Sequence, residues 1–527
     1  MTNDKHLMWG WLVLCCLVAW VATSDVVSAQ EVAESFQCPE CNVIVVSMTN
    51  LRADHMGIYG YGRDTTPHLD QFGAQAILFK NAFSVASWTL PVAMSLFTSQ
   101  YPLTHQVMTR TPPDPAFAGV MKTSLPESSP TLVDLLHQYG YHSASMNSGM
   151  DYVPSRGLTN RFEHVRSFMF DAQRVWGEYG SYYNVIPAAI AWLQEHHKKK
   201  FFLHIQGYDV HCPFAYPFKN ARFDGDYPGR LDDTQCYWTF EKAAPITVKT
   251  AKGLRKVYSV KTSANELKKE PVRSEQWIKQ QNRGIINDSG QGLWRIGPRD
   301  IEHMIALYDG EIYNSDQLLG QLLESVKRLG LMNNTIIIFL SEHGDMFGKH
   351  GRFMRGGPLR GTFYEDVLHV PLIIYHPHVK ARQINSLVSL VDIFPTILDF
   401  LGIAIPEGLK GKSLMPTLEG NPIRDRVFAG AVFTPEPNNT LFSYSTMVTS
   451  VREEEWKLIQ EILVRNSGVE RYWELYNLKN DPQELDNVAL NFPEKLKTLQ
   501  GDLSRWLREE LGVDENIMIN ILMKGKK

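Results

Sequence analysis

The feature that most restricts how this chain can fold is a set of short, apolar, β-branched runs. Asn42–Met48 reads NVIVVSM, and Phe201–Ile205, Thr335–Leu340 (TIIIFL) and Pro371–Tyr375 (PLIIY) are of the same kind. None has the apolar–polar alternation of a strand with one wet face, so each predicts a strand buried on both sides. Between them lie helical patterns. Ser129 is placed to cap a helix over Thr131–Tyr139, and Asp309–Leu329 sets Ile312, Leu318, Leu319, Leu322, Val326 and Leu329 near one face. Buried strands separated by amphipathic helices predict an α/β fold, a mostly parallel central sheet covered by helices on both faces. In such sheets ligands sit at the carboxyl ends of the strands.

At 527 residues the chain is too long for one ordinary core, which points to a large domain and a smaller one. With 53 basic and 57 acidic residues the net charge is −4, giving no electrostatic footprint for nucleic acid. At the N-terminus, Lys5 and His6 precede an apolar run from Leu7 to Ala22, then a polar stretch ending Val27-Ser28-Ala29. That is the pattern of a secretory signal peptide over 1–29, with an uncleaved membrane anchor as the competing reading. Export leaves Cys38, Cys41, Cys212 and Cys236, an even number that permits two disulfides. The CPEC stretch is better read as a structural disulfide than as half of a zinc site, because no second CxxC completes four thiolates. The expected division is an α/β domain over 38–434, with an insertion or lid at 219–299, then a C-terminal α+β subdomain over 441–515. In the latter, strands are expected at Thr446–Arg452, Trp456–Glu461 and Arg471–Leu475, and an amphipathic helix at Phe492–Leu511.

The residues after the strands carry the chemistry. The first strand is followed by Thr49-Asn50-Leu51-Arg52-Ala53-Asp54-His55, the second by Gly207-Tyr208-Asp209-Val210-His211-Cys212-Pro213, and the third by Ser341-Glu342-His343-Gly344-Asp345. A separate turn, Ser87-Trp88-Thr89-Leu90-Pro91, opens a small-residue helix over Val92–Ser99. A hydroxyl at a helix N-terminus is well placed to meet an anion, and equally to cap the helix.

Several longer stretches carry a resemblance. They are LRADHMGIYGYGRDTTPHLDQF (Leu51–Phe72), SWTLPVAMSLFTSQYP (Ser87–Pro102), YDGEIYNSDQLLGQLL (Tyr308–Leu323), SEHGDMFGKHG (Ser341–Gly351), RGTFYEDVLHVPLII (Arg360–Ile374), DIFPTILDFLGI (Asp392–Ile403) and ELYNLKNDPQELDNVA (Glu474–Ala489). In content and order the chain resembles the sulfatase family, within the alkaline-phosphatase-like superfamily of sulfuric and phosphoric ester hydrolases. The resemblance implies divalent cations held by carboxylates after the first strand and at the Asp-His-Gly turn. It also implies a nucleophile at a helix N-terminus, which is formylglycine in sulfatases and an unmodified threonine or serine in some phosphoesterase relatives. A cation there neutralises the oxyanion and acidifies the nucleophile.

Carried over residue by residue, the pattern is uneven. Thr49 and Asn50 stand where the family usually has a pair of acids or Asp-Thr. Thr89 stands at the nucleophile position, so no formylglycine is expected, and Val92 and Ala93 replace the usual Ser and Arg or His. Ser148 stands where many sulfatases have lysine. Glu342 keeps a carboxylate and His343 matches. His211 matches the histidine of a D-x-H-x-P segment, and Arg355, with Arg360 as a near alternative, falls where some members place an active-site lysine. The expected catalytic set is therefore Thr89, His211, Arg355 and Arg360. The expected metal set is Thr49, Asn50, Glu342 and His343, a weakened site for Ca²⁺, Mg²⁺ or Zn²⁺. Asp54 and His55 are expected to be structural. The implied function is hydrolysis of a sulfate ester, or a related phosphoric or phosphonic ester, of a small molecule or carbohydrate. The alternative is a catalytically impaired pseudoenzyme that binds an anionic ligand such as a sulfated sugar. Neither nucleic acid nor, after signal cleavage, a membrane is an expected partner.

Overall fold

The computed structural model describes residues 36–524 except 114, 118, 169–180, 213, 215–221, 229–245, 251–252, 258–284, 288–292, 296–297, 352–361, 435–444 and 466–467. The expected signal segment, Arg355, Arg360, Cys236 and much of the expected insertion lie outside the described residues.

The first five strands are β1 (Asn42–Met48), β2 (Ile77–Phe83), β3 (His142–Asn147), β4 (His164–Ser167) and β5 (Phe201–Gly207). Two short ribbons fall in the expected insertion, β6 (Ile246–Thr250) with β7 (Gly253–Val257) and β8 (Ile285–Asn287) with β9 (Leu293–Arg295). They are followed by β10 (Thr335–Leu340), β11 (His369–Tyr375) and β12 (Arg382–Ser389). The main sheet has the order β12-β2-β11-β10-β1-β5-β3-β4. Its neighbours are parallel except at β11, which is antiparallel to both β10 and β2.

The apolar runs explain this layered build. Successive side chains of β1 point to opposite faces. Val43 and Val45 enter one core with helix α1 (Thr89–Thr98), while Ile44, Val46 and Met48 enter the other with α2 (Tyr182–His196) and α3 (Pro298–Arg328). Each such side chain removed from water stabilises by roughly 1.5–3 kcal/mol, so a strand buried twice over belongs at the sheet centre. Asp309 shows how a charged group is accommodated between these layers. Asp309, fully buried on α3, meets His55 Nδ1 at 2.6 Å and accepts hydrogen bonds from Tyr61 (2.6 Å) and Arg63 (2.7 Å).

Some local expectations are corrected. The helix expected over Thr131–Tyr139 spans Leu132–Gln138 and is capped by Thr131, whose hydroxyl pairs reciprocally with Asp134. Ser129 instead donates its N–H to Pro126 in the preceding turn. Helix α3 starts well before Asp309, at Pro298, where a missing N–H costs a first turn nothing. Helix α1 starts at Thr89 rather than Val92, and Trp88, not Thr89, occupies its cap position.

The second sheet is an antiparallel meander of β13 (Val427–Phe433), β14 (Ser445–Arg452), β15 (Trp456–Arg465) and β16 (Gly468–Asn477). Strand β13 pairs with β14 along its whole length, so this sheet begins inside the range expected for the large domain. Helix α4 (Pro493–Arg505) follows, and a π turn over Trp506–Glu510 continues it. The two units are joined through buried Lys457, which lies 2.9 Å from both Glu365 and Glu484. Cys38 and Cys41 form a disulfide, and Cys212 is also disulfide-bonded. Among the described residues no helix is long and apolar enough to cross a membrane.

Candidate active site

Parallel strands deliver their following loops to one end of the sheet, and most of the expected site residues arrive there. Strand β2 ends at Phe83 and leads into α1. Ser84 N–H donates to Leu368 O at 2.7 Å, fixing the exit of β2 against the chain entering β11. Thr89 is the first residue of α1, buried, and no side chain caps that terminus. Its hydroxyl Oγ1 lies 3.2 Å from His343 Nε2. His343 Nδ1 donates to the Gly344 carbonyl oxygen at 2.9 Å. A carbonyl accepts only, so Nδ1 carries a proton, and in the neutral imidazole Nε2 is then the acceptor of the Thr89 hydroxyl.

The turn that carries His343 is rigid by construction. Ser341 Oγ donates to His343 O at 2.8 Å, and Gly344 N–H donates to Val367 O at 2.8 Å. A Cβ on Gly344 would stand 2.1 Å from Asp366 O, so only glycine allows this approach. Arg52 donates to Asp345 O at 3.1 Å and pairs with Asp366, which also receives Lys349 Nζ at 2.7 Å.

The other expected residues are held by their neighbours. Glu342 Oε1 accepts from Ser47 at 2.9 Å and from Tyr152 at 3.0 Å. Burial pushes its carboxyl up from the ordinary value, opposed by hydrogen bonds from its own backbone N–H and from Ser47, Tyr152 and Thr49. Thr49 Oγ1 accepts from Gln206 Nε2 at 2.6 Å. Asn50 sits in left-handed backbone (φ 72°) and donates from Nδ2 to Asp345 Oδ2 at 2.7 Å. Asn50 Oδ1 is buried with no hydrogen-bond partner among the described residues. His211, beyond the end of β5, donates from Nδ1 to Cys212 O at 2.6 Å and stacks on Tyr208 at 4.1 Å. Arg355 and Arg360 fall on residues 352–361, outside the described residues.

Three participants escaped the sequence reading. Tyr152 comes from a loop whose spacing carries no signal, and Gln206 is an interior letter of a strand. Asp345, in contrast, stands in the same turn as Glu342 and His343 and was open to view as a second carboxylate. Trp88 packs on Phe433 at 4.7 Å, and Tyr59 donates to Phe79 O at 2.9 Å, so both have structural contacts.

Comparison with known proteins places this arrangement, an α/β sheet with a hydroxyl-bearing helix N-terminus beside a Glu-His-Gly turn, in a family. The Sulfatase family pattern matches residues 41–403, and an N-sulphoglucosamine sulphohydrolase C-terminal pattern matches 348–511. The chain belongs to the sulfatase family, within the alkaline-phosphatase-like superfamily. It is 27% identical to arylsulfatase K of Rattus norvegicus over 398 residues, covering 71% of this chain and 63% of that protein. It is 24% identical to an arylsulfatase of Clostridium perfringens over 506 residues, 91% of this chain and 97% of that one. The chain thus spans 37% and 63% of the arylsulfatase K sequences from Bos taurus and Rattus norvegicus. In fold it is similar to BT4656, solved with its substrate D-glucosamine-2-N,6-O-disulfate (TM-score 0.63, 18% identity, 90% of this chain and 98% of that one). It is also similar to the phosphonate monoester hydrolase of Agrobacterium radiobacter (TM-score 0.56, 21% identity, 88% and 96%).

The family implies a divalent cation, and the donors present do not fit one. Hard cations take six or more oxygens with several negative charges among them. Here Thr49 is engaged by Gln206, and the buried oxygens of the set left without a hydrogen-bond partner among the described residues are Asn50 Oδ1 and Glu342 Oε2, which bring a single carboxylate between them. Among the described residues no three His, Cys, Asp or Glu converge as a metal site would require.

Proposed function

We propose that this protein is an ester hydrolase acting on an anionic ester, with Thr89 as the nucleophile and the N-terminus of α1 as the anion cradle. The substrate class is a sulfate ester, or a related phosphoric or phosphonic ester, of a small molecule or carbohydrate. One observation carries the reading: a buried threonine hydroxyl on an uncapped helix terminus, 3.2 Å from an imidazole nitrogen able to take its proton. The named substrates of structural neighbours, a disulfated glucosamine and phosphonate monoesters, support that range of chemistry. His211, Arg355 and Arg360 are assigned to charge on the ester and its leaving group. The charged, apolar and small-residue pattern over 1–29 supports export.

The test is Thr89→Ala. Alanine removes the attacking oxygen but leaves the helix terminus, so turnover should vanish while sulfate or phosphate binding persists. Hydrolysis that survives the substitution rules Thr89 out.

A second reading rests on Thr49, Asn50, Val92 and Ala93, which replace acidic, hydroxylic and basic residues of the family pattern. It makes the chain a binding protein for an anionic ligand. It requires no turnover in the wild type, and weaker ligand binding in Arg355→Ala.

A further inference from the structure

We propose that His343 is the general base of this site and that Thr89 is activated without a divalent cation. This deepens the ester-hydrolase reading above and rests on it.

The argument starts from what each side chain is already doing. Of the four residues expected to hold a cation, Thr49 accepts from Gln206, and Asn50 Oδ1 and Glu342 Oε2 are buried oxygens without a hydrogen-bond partner among the described residues, so the set offers one carboxylate where a hard cation takes six or more oxygens and several negative charges. The fourth, His343, meets the nucleophile itself at 3.2 Å. Its other nitrogen is locked as a donor by the Gly344 carbonyl at 2.9 Å. Nucleophile, base and orienting acceptor are therefore linked in succession, with a backbone carbonyl in the place a carboxylate takes in other triads. Both Thr89 and His343 are buried, so water competes little for either polar group.

The orienting carbonyl is itself immobile. Gly344 is tied to Val367, and the space beside its Cα is filled by Asp366 O. A fixed carbonyl keeps the imidazole in one tautomer and one orientation, which is the role assigned to the third member of such sets.

The chemical step balances without a metal. Thr89 Oγ1 attacks sulfur or phosphorus, its proton passes to His343 Nε2, and the bond to the ester oxygen breaks. The alkoxide, expelled on the side opposite Thr89, takes a proton from water and departs as the alcohol, leaving hydroxide. That hydroxide attacks the sulfated or phosphorylated Thr89 from the vacated side. Thr89 Oγ1 recovers its own proton from His343 Nε2 as its bond to sulfur or phosphorus breaks and the inorganic anion is released. The first-turn N–H groups of α1 stabilise the charge that develops on the non-bridging oxygens.

The experiment uses the full chain with an aryl sulfate, an aryl phosphate diester and an aryl phosphonate monoester. Wild-type turnover should be unchanged within about twofold after metal stripping by EDTA, and on adding Ca²⁺, Mg²⁺ or Zn²⁺. Calorimetry should show no tight binding of those ions to the stripped protein. His343→Gln, which keeps a polar side chain but cannot take a proton, should lower kcat by about 10²–10⁴-fold with little change in binding of inorganic phosphate. Activity lost to EDTA and restored by a cation overturns the proposal while leaving the hydrolase reading intact. So does a folded His343→Gln variant that keeps turnover within about tenfold of wild type. Wild-type protein that turns over none of the three probes overturns both. The EDTA comparison needs no variant and decides the matter if His343→Gln does not fold.

Discussion

Asn50 Nδ2 donates to Asp345 Oδ2 across 2.7 Å, binding the turn after β1 to the turn after β10. The two residues are 295 apart in sequence, and the strands before them pair in parallel register from Asn42↔Thr335 to Ser47↔Leu340. An amide thus occupies a place where an acid would face a second acid.

That contact makes Asn50→Asp informative. Aspartate tolerates the left-handed backbone as asparagine does, so the substitution tests charge rather than conformation. In EDTA the variant should lose about 1–3 kcal/mol, because a donated hydrogen bond becomes a buried like-charge contact. Together with Thr49→Asp it should gain a calcium-dependent rise in Tm that the wild type lacks. Thermal unfolding in EDTA and in calcium measures both. A double variant indifferent to calcium would mean that the pocket has lost its cation shape as well as its charges.

Gly344→Ala should damage the site directly. The new methyl would meet the backbone oxygen of Asp366 at 2.1 Å, and neither strand end can yield easily. Overpacking of this kind costs about 1–3 kcal/mol, and the displaced turn should carry His343 away from Thr89. The expected result is a lower Tm together with a fall in kcat, read by thermal unfolding and initial rates.

Lys457 is the cation between two buried carboxylates, and it links β15 to Glu365 and Glu484. Burial favours the neutral form of all three groups, but Lys457 together with Arg452 outweighs it at Glu365 and holds that carboxyl below its ordinary value. At Glu484 burial prevails and pushes the carboxyl up. Lys457→Met removes the compensating charge and leaves both acids in place. Breaking such a pair from one side costs about 3–5 kcal/mol, which denaturant titration would detect. A loss below about 1 kcal/mol would mean that the acids find other partners.

Acid sensitivity should come in part from two core histidines. Burial holds His105 and His204 neutral, each with its pKa lowered to about 3. His105 Nδ1 accepts from Val107 N–H at 3.0 Å, so protonation there breaks a buried bond. Because the unfolded chain takes up these protons near pH 6.5, stability is present above that pH. It falls as pH drops toward about 3, by roughly 1.4 kcal/mol per pH unit for each histidine. Tm measured from pH 7 to pH 4 should show the slope, and His105→Asn should reduce it.

The parallel sheet was legible because β1, β5 and β10 are apolar on both faces, a pattern that has few other solutions. The C-terminal meander was legible for the opposite reason, since turn signals punctuate its strands. Strand β13 was missed as a member of that sheet because Val427–Phe433 reads as one more buried run, and its partner comes only after the Pro- and Asn-rich sequence PEPNN. In the site, the residues after strands could be named because chemistry gathers at strand ends. Their partnerships could not. Nothing local in Glu342 announces Tyr152, and nothing in Thr49 announces Gln206, because both pairings depend on side chains meeting across strand ends.

The antiparallel setting of β11 in the main sheet has a consequence for how members of this fold diversify. Because β11 runs against β10, the chain leaves the sheet at Leu340 and rejoins it at His369 on the same rim. The stretch between begins with the turn that sets His343 beside Thr89 and ends at Leu368, whose carbonyl receives the Ser84 N–H. Its length is therefore almost unconstrained by the hydrogen-bond ladder, and doubling such a stretch costs only about 0.6 kcal/mol in closure entropy. Insertions and deletions there can remake the rim of the pocket for a new ester while the strands that aim the nucleophile stay as they are.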